Sequence, residues 1–152
     1  GSPALRERFE ALRRDILRFA VRRGTLRDDV RAMRERMRAE LSRSAPGQFD
    51  LKQDAGGITD IEFLAQYWTL HHAERYAELV TYSDNIRQLE SLASADLVPQ
   101  ATVDVLTGAY RTYRQRMHHL SLEAASNVVQ ATEFADVRAA VTAIWDATME
   151  GK

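Results

Sequence analysis

The sequence predicts an all-α fold, an up-and-down bundle of five to six helices with one long loop at about 44–58. Apolar residues recur at spacings of three and four along most of the chain, the period of helices with one buried face. Only seven Gly and three Pro occur in 152 residues, which favours long helices over a strand-and-turn protein. Apolar residues make up 45% and charged residues 28%, the balance of a globular chain long enough to bury one core. Gly1-Ser2 reads as a cloning scar, leaving 3–152 as a single helical domain.

The elements follow in order. Residues 4–22 predict a first helix with Leu5, Phe9, Leu12, Ile16 and Phe19 on one stripe. Arg22-Arg23-Gly24 supplies a basic C-terminal end and a turn. Thr25 then suits the N-cap of a second helix, with Asp28 and Asp29 in its first turn, where the helix dipole favours them. Leu26, Val30, Met33, Met37 and Leu41 carry its apolar stripe. A third helix, about 59–76, is apolar around most of its circumference through Ile61, Phe63, Leu64, Ala65, Tyr67, Trp68 and Leu70. It therefore belongs at the bundle centre. Ser83 is the expected cap of a fourth helix at 84–95, with Ile86, Leu89 and Leu92 inward. Pro99 opens a fifth, striped by Val103, Leu106, Tyr110, Tyr113, Met117 and Leu120. Thr132 is the expected cap of a sixth, carrying Phe134, Val137, Val141, Ile144 and Trp145.

Several function classes fall away on composition. With no Cys, disulfide and thiolate chemistry are impossible, which suits a cytoplasmic setting. No apolar run approaches the ~20 residues of a membrane span, so no membrane partner is expected. His71-His72 and His118-His119 are adjacent pairs within helices; neighbours on a helix point about 100° apart and cannot chelate one ion. Residues 1–43 hold thirteen Arg against seven acids, and the remainder eight bases against fifteen acids. Because the Arg residues are interleaved with acids, two solvated, ion-paired faces are favoured over a nucleic-acid or acidic-partner surface.

The informative segment is Phe49-Asp50-Leu51-Lys52-Gln53-Asp54-Ala55-Gly56-Gly57-Ile58-Thr59-Asp60-Ile61-Glu62-Phe63. It is a charged loop with a short extended candidate at 49–52, then a glycine pair and a helix N-terminus. The glycine pair permits positive φ and close approach of another backbone or of a phosphate. Thr59 and Glu62 have the spacing of a capping box. Asp60 and Glu62 diverge by about 200° on a helix, so one metal ion cannot easily take both. The expected split has Glu62 capping its own helix and Asp60 facing outward to a cleft or a neighbouring domain.

This segment resembles the one that follows the second nucleotidyltransferase domain in the bifunctional glutamine synthetase adenylyltransferase/adenylyl-removing enzymes. The same family is matched by Met33-Arg34-Glu35-Arg36-Met37-Arg38, Tyr82-Ser83-Asp84-Asn85-Ile86-Arg87 and Met117-His118-His119-Leu120, in the right order. A related helical domain occurs in the PII-uridylyltransferases. The resemblance implies a C-terminal helical domain beside a nucleotidyltransferase domain that moves AMP from ATP to a tyrosine of glutamine synthetase. It implies partners as well: that preceding domain, glutamine synthetase, ATP and a PII-type signal protein. The family's Gly-Ser turn and strand-borne Asp-x-Asp pair, the carboxylates of which hold Mg²⁺, are missing here, so no catalytic or metal residue is expected in this chain and the chain alone should not transfer AMP. Lys52, the one Lys besides Lys152, is expected near phosphate, with Asp54, Gly56, Gly57, Asp60 and Gln66 facing the cleft or the domain interface. Glu62, Asn85 and Arg87 are weaker candidates. A non-catalytic regulator-binding module, with 44–58 as its recognition loop, is the alternative from a different class.

Overall fold

The computed structural model describes Glu7, Ala11, Asp15 and residues 18–73 and 84–151. Among these, helix α1 is seen at 18–23, followed by α2 (Leu26–Leu41), strand β1 (Gln48–Asp50), α3 (Ile58–His72), α4 (Asn85–Ser94), α5 (Gln100–Leu122), strand β2 (Val128–Gln130) and α6 (Ala135–Trp145). A π-helical turn, Asp146–Glu150, ends at Gly151 in the left-handed region. The expected stripe residues Leu5, Phe9, Leu12 and Ile16, the helix end at 74–76 and the cap Ser83 lie outside the described residues.

The helical bundle forms as the apolar spacing dictates. In α2, Leu26, Val30, Met33 and Met37 are buried, whereas Leu41 is 41% exposed past the last turn of the stripe. Phe19 of α1 is also exposed, at 58%. Helix α3 packs against α2, α4, α5 and α6, the central place its nearly all-round apolarity required. Leu89 and Leu92 of α4 and Val103, Leu106, Tyr113 and Leu120 of α5 are buried. So are Val141 and Trp145 of α6, completing one contiguous core.

The helix starts follow the expectation only in part. Thr25 stands at the N-cap of α2, but its hydroxyl donates to the Asp29 carboxylate at 2.7 Å instead of accepting from a backbone N–H. Gly57, not Thr59, is the N-cap of α3. At α4 the cap is Asp84, whose Oδ1 accepts from Arg87 N at 3.1 Å. Helix α6 begins at Ala135, so Thr132 sits in the preceding turn and does not cap it.

The long 44–58 segment is where fold and site meet. Its extended part pairs with a strand absent from the sequence reading: Gln48, Phe49 and Asp50 lie antiparallel to Gln130, Val129 and Val128. The ladder continues as Leu51 N donates to Asn127 O at 2.9 Å, and Ala131 N donates to Gly47 O at 2.9 Å. Phe49 and Leu51 are fully buried, and the Phe49 ring stands edge-on to Tyr113 of α5, with centroids 5.7 Å apart. The loop thus enters the core through two apolar side chains and is no surface strap.

Candidate functional site

Three aspartates organise the loop from within. Asp50, the last residue of β1, is buried between Phe49 and Leu51 in sequence, and its carboxylate accepts from Lys52 N and Gln53 N at 3.0 Å each and from Arg43 N at 3.1 Å. Asp54 accepts from the Ser42 and Ser44 hydroxyls at 2.6 Å each and from Asp50 N at 2.8 Å. Burial pushes the Asp54 carboxyl up, but these three donors outweigh it and hold the group below its ordinary range. Asp60, in the first turn of α3, is 1% exposed. Its Oδ1 accepts from Arg34 Nε of α2 at 2.7 Å and its Oδ2 from Gly56 N at 2.8 Å.

Arg34 is itself 0% exposed. Besides Asp60, its Nη2 donates to the Gln53 carbonyl. Burial draws the guanidinium below its ordinary range, Asp60 opposes that, and the neighbouring Arg38 adds to it. Arg38, 30% exposed, reaches the same Asp60 oxygen only at 3.5 Å. Two further helices hold the next carbonyls of the turn. Arg138 Nε of α6 donates to Ala55 O at 2.8 Å, and its guanidinium lies 4.3 Å from the Phe49 ring centroid. The Tyr113 hydroxyl of α5 donates to Gly56 O at 2.9 Å, and burial raises its pKa. Gln53, Ala55 and Gly56 therefore each present a carbonyl to a side chain from a different helix.

The glycine pair serves this close packing. A Cβ on Gly57 would stand 2.5 Å from Leu51 O; one on Gly56, whose φ is +82°, would stand 2.7 Å from Arg138 Cγ. The N–H groups at the start of α3 are taken up by the loop: Gly57 N by Asp54 O at 3.0 Å, Ile58 N by Leu51 O at 2.9 Å, Thr59 N by Lys52 O at 3.1 Å. The close approach that the glycines allow is that of the chain's own backbone.

The expected site residues fall into three groups. Asp54, Gly56, Gly57 and Asp60 come together, but inside the loop; Asp60 points into the protein, not outward as its sequence position suggested. An outward Asp60 is overturned by Arg34, whose buried charge has to be compensated. Glu62 and Asn85 meet elsewhere, with Asn85 Nδ2 donating to Glu62 Oε2 at 3.3 Å; the Thr59 N–H of the expected capping box donates to Lys52 O instead, and Arg87 lies on the same first turn of α4. Asp60 and Glu62 thus face different partners, as two-residue spacing on a helix requires. Lys52 and Gln66 are half-buried. The Lys52 ammonium makes no hydrogen bond or ion pair among the described residues.

Arg34, Asp50, Tyr113 and Arg138 were missed as site residues by sequence reasoning. For Arg34 the signal exists: it lies four residues after Val30 and beside Met33, on the buried stripe, and a charge on an apolar face calls for a buried partner. Arg138, flanked by ordinary helix positions, gives no such sign.

A helical bundle whose central helix starts from an internally braced, glycine-paired loop defines a class. The chain belongs to the GlnD PII-uridylyltransferase family, whose model matches residues 30–130 and so takes in most of α2, the loop and everything from there through α5 and β2. It is also 43% identical over 150 residues to the bifunctional glutamine synthetase adenylyltransferase/adenylyl-removing enzyme of Thioalkalivibrio sulfidiphilus (strain HL-EbGR7). That alignment covers 99% of this chain but 16% of the relative. The chain spans about a sixth of that protein's length.

Proposed function

We propose that this chain is the C-terminal helical domain of a glutamine synthetase adenylyltransferase and forms one wall of the cleft in which AMP is transferred from ATP. The observation that carries the reading is Lys52: its backbone is fixed by the loop while its ammonium stays unpaired among the described residues, within a chain that aligns over 99% of its length with a sixth of such an enzyme. Phosphoryl transfer needs positioned positive charge beside the triphosphate, and a lysine supplies a compact one. Asp54, Gly56, Gly57 and Asp60 shape the loop from behind; Gln66, four residues after Glu62, shares that residue's side of α3.

Mg²⁺ belongs to the preceding nucleotidyltransferase domain in this reading. The loop carboxylates do not suit it, because Asp50, Asp54 and Asp60 are already engaged by N–H and hydroxyl donors and by Arg34. Glutamine synthetase is the protein substrate, a PII-type protein the regulator, and the cytoplasm the setting. The uridylyltransferase description of the matching family favours one second reading, the equivalent helical domain of a PII-uridylyltransferase; uridylyl transfer to a PII-type protein by the full-length enzyme would establish it.

The test is Lys52→Ala in the full-length enzyme. Loss of one charge-assisted contact to phosphate, worth about 1.5–3 kcal/mol, lowers kcat/KM for AMP transfer by roughly tenfold or more, and Lys52→Arg recovers part of it. Unchanged ATP and transfer kinetics would remove Lys52 from the cleft.

A further inference from the structure

The geometry points to Arg34 as a positioning residue that acts on nucleotide through Lys52, without itself touching it. This inference rests on the proposed role of Lys52. It starts from an oddity of α2: a guanidinium lying wholly inside a helical bundle, where apolar residues of similar volume often serve stability as well or better. What an apolar residue cannot do is hold two groups at once. Arg34 uses adjacent edges of its planar fork, Nε on Asp60 and Nη2 on the Gln53 carbonyl, and so fixes the start of α3 and the turn before it in one geometry.

Lys52 sits directly upstream of the clamped carbonyl. Its N–H is held by Asp50 Oδ1 at 3.0 Å and its C=O by Thr59 N at 3.1 Å, next to Asp60. The Asp50 oxygen that holds Lys52 N also accepts from Gln53 N at 3.0 Å, and Thr59 adjoins Asp60, so both backbone constraints on Lys52 lead to residues that Arg34 binds, whereas its side chain is unpaired among the described residues. A lysine near phosphate gains from such bracing, since a misplacement of about 1 Å can cost on the order of a hundredfold in rate. Tyr113 and Arg138 hold the neighbouring carbonyls of Gly56 and Ala55; of these three helix-borne side chains, Arg34 is the one that reaches Gln53, the residue after Lys52.

A double-mutant cycle in the full-length enzyme tests the coupling. Arg34→Lys keeps the charge and loses the fork; KM for ATP and kcat for AMP transfer are measured for it in the native and the Lys52→Ala backgrounds, with thermal stability recorded alongside. The expected result is a loss of about tenfold in kcat/KM in the native background that shrinks to less than about twofold once Lys52 is absent. An equal loss in both backgrounds overturns the inference, because a merely structural Arg34 acts whether or not Lys52 is there. Should Arg34→Lys fail to fold, Arg34→Gln takes its place, retaining one hydrogen-bonding amide, with the same two outcomes. A silent Lys52→Ala sinks the proposed function, while an active Lys52 with additive Arg34 effects sinks only this coupling.

Discussion

At the scale of single residues, the loop separates two kinds of intolerance. Gly57 has an extended backbone, φ −90°, that any residue can adopt, so its restriction is purely one of space. The Cβ of Gly57→Ala meets Leu51 O at 2.5 Å, and Leu51 is held by both the sheet and α3. Overpacking of this kind costs about 1–3 kcal/mol, read as a lower urea midpoint. Gly47 is the reverse case. Its φ is +81° with nothing within 4 Å of an added Cβ, so Gly47→Ala costs only the left-handed strain, about 1 kcal/mol. A larger loss at Gly47 than at Gly57 would contradict the packing described. The Arg34–Asp60 pair obeys a third rule. Removing one partner, as in Arg34→Met, strands a buried charge and costs about 3–5 kcal/mol, while Arg34→Met with Asp60→Leu costs less than either single change. Denaturation of the three variants checks the order.

At the scale of elements, the helices were legible in the sequence and the loop was legible only as a loop. Stripes such as Val103-Leu106-Tyr113-Leu120 announce both the helix and its buried face, because one face of a regular element is all that has to be satisfied. Strand β2 could not be foreseen: three residues, Val128–Gln130, are too short for a period, and their partner lies about eighty residues upstream. Asp60 was misplaced for the same kind of reason. Its direction is set by Arg34, twenty-six residues away, and local capping rules know nothing of such a partner. Lys52 stands out in the sequence by rarity and by its place before the glycine pair, and its braced backbone becomes visible only with the aspartates around it. Asp54 ties Ser42, at the C-cap of α2, to the strand, and that tie has a pH signature. Because its folded pKa lies below the unfolded one, its contribution is present above the ordinary carboxylate value of about 4 and is lost as pH falls through the folded value. The stability advantage of the native chain over Asp54→Asn should therefore shrink on acidification below about pH 4. Parallel acid transitions of the two proteins would show that Asp54 contributes no such linkage.

At the scale of the whole molecule, the split between a basic first third and an acidic remainder turns out to be partly internal complementarity. Arg31 of α2 reaches Glu150 at 3.1 Å and Met149 O at 3.4 Å in the final turn, and Arg34 reaches Asp60. Basic α2 is thereby seated on elements from the acidic part, and the Lys52 ammonium, beyond α2, has no ion pair among the described residues. One unpaired lysine is a weak ligand site by itself, since lone charges in water exchange ions with little net gain. The proposed cleft therefore requires the neighbouring nucleotidyltransferase domain before ATP is held. For a protein that binds ATP at about a hundred times its Kd, stabilisation is about 2.7 kcal/mol, or roughly 4 °C in Tm for a chain of two such domains. Melting curves with ATP and Mg²⁺ should show a shift of that size when the preceding domain is attached, and none above about 1 °C for the 152 residues alone. An equal shift in the isolated chain would move the nucleotide site into this bundle. No shift in the longer chain would leave the loop as a brace between domains, with Lys52 facing protein and not phosphate.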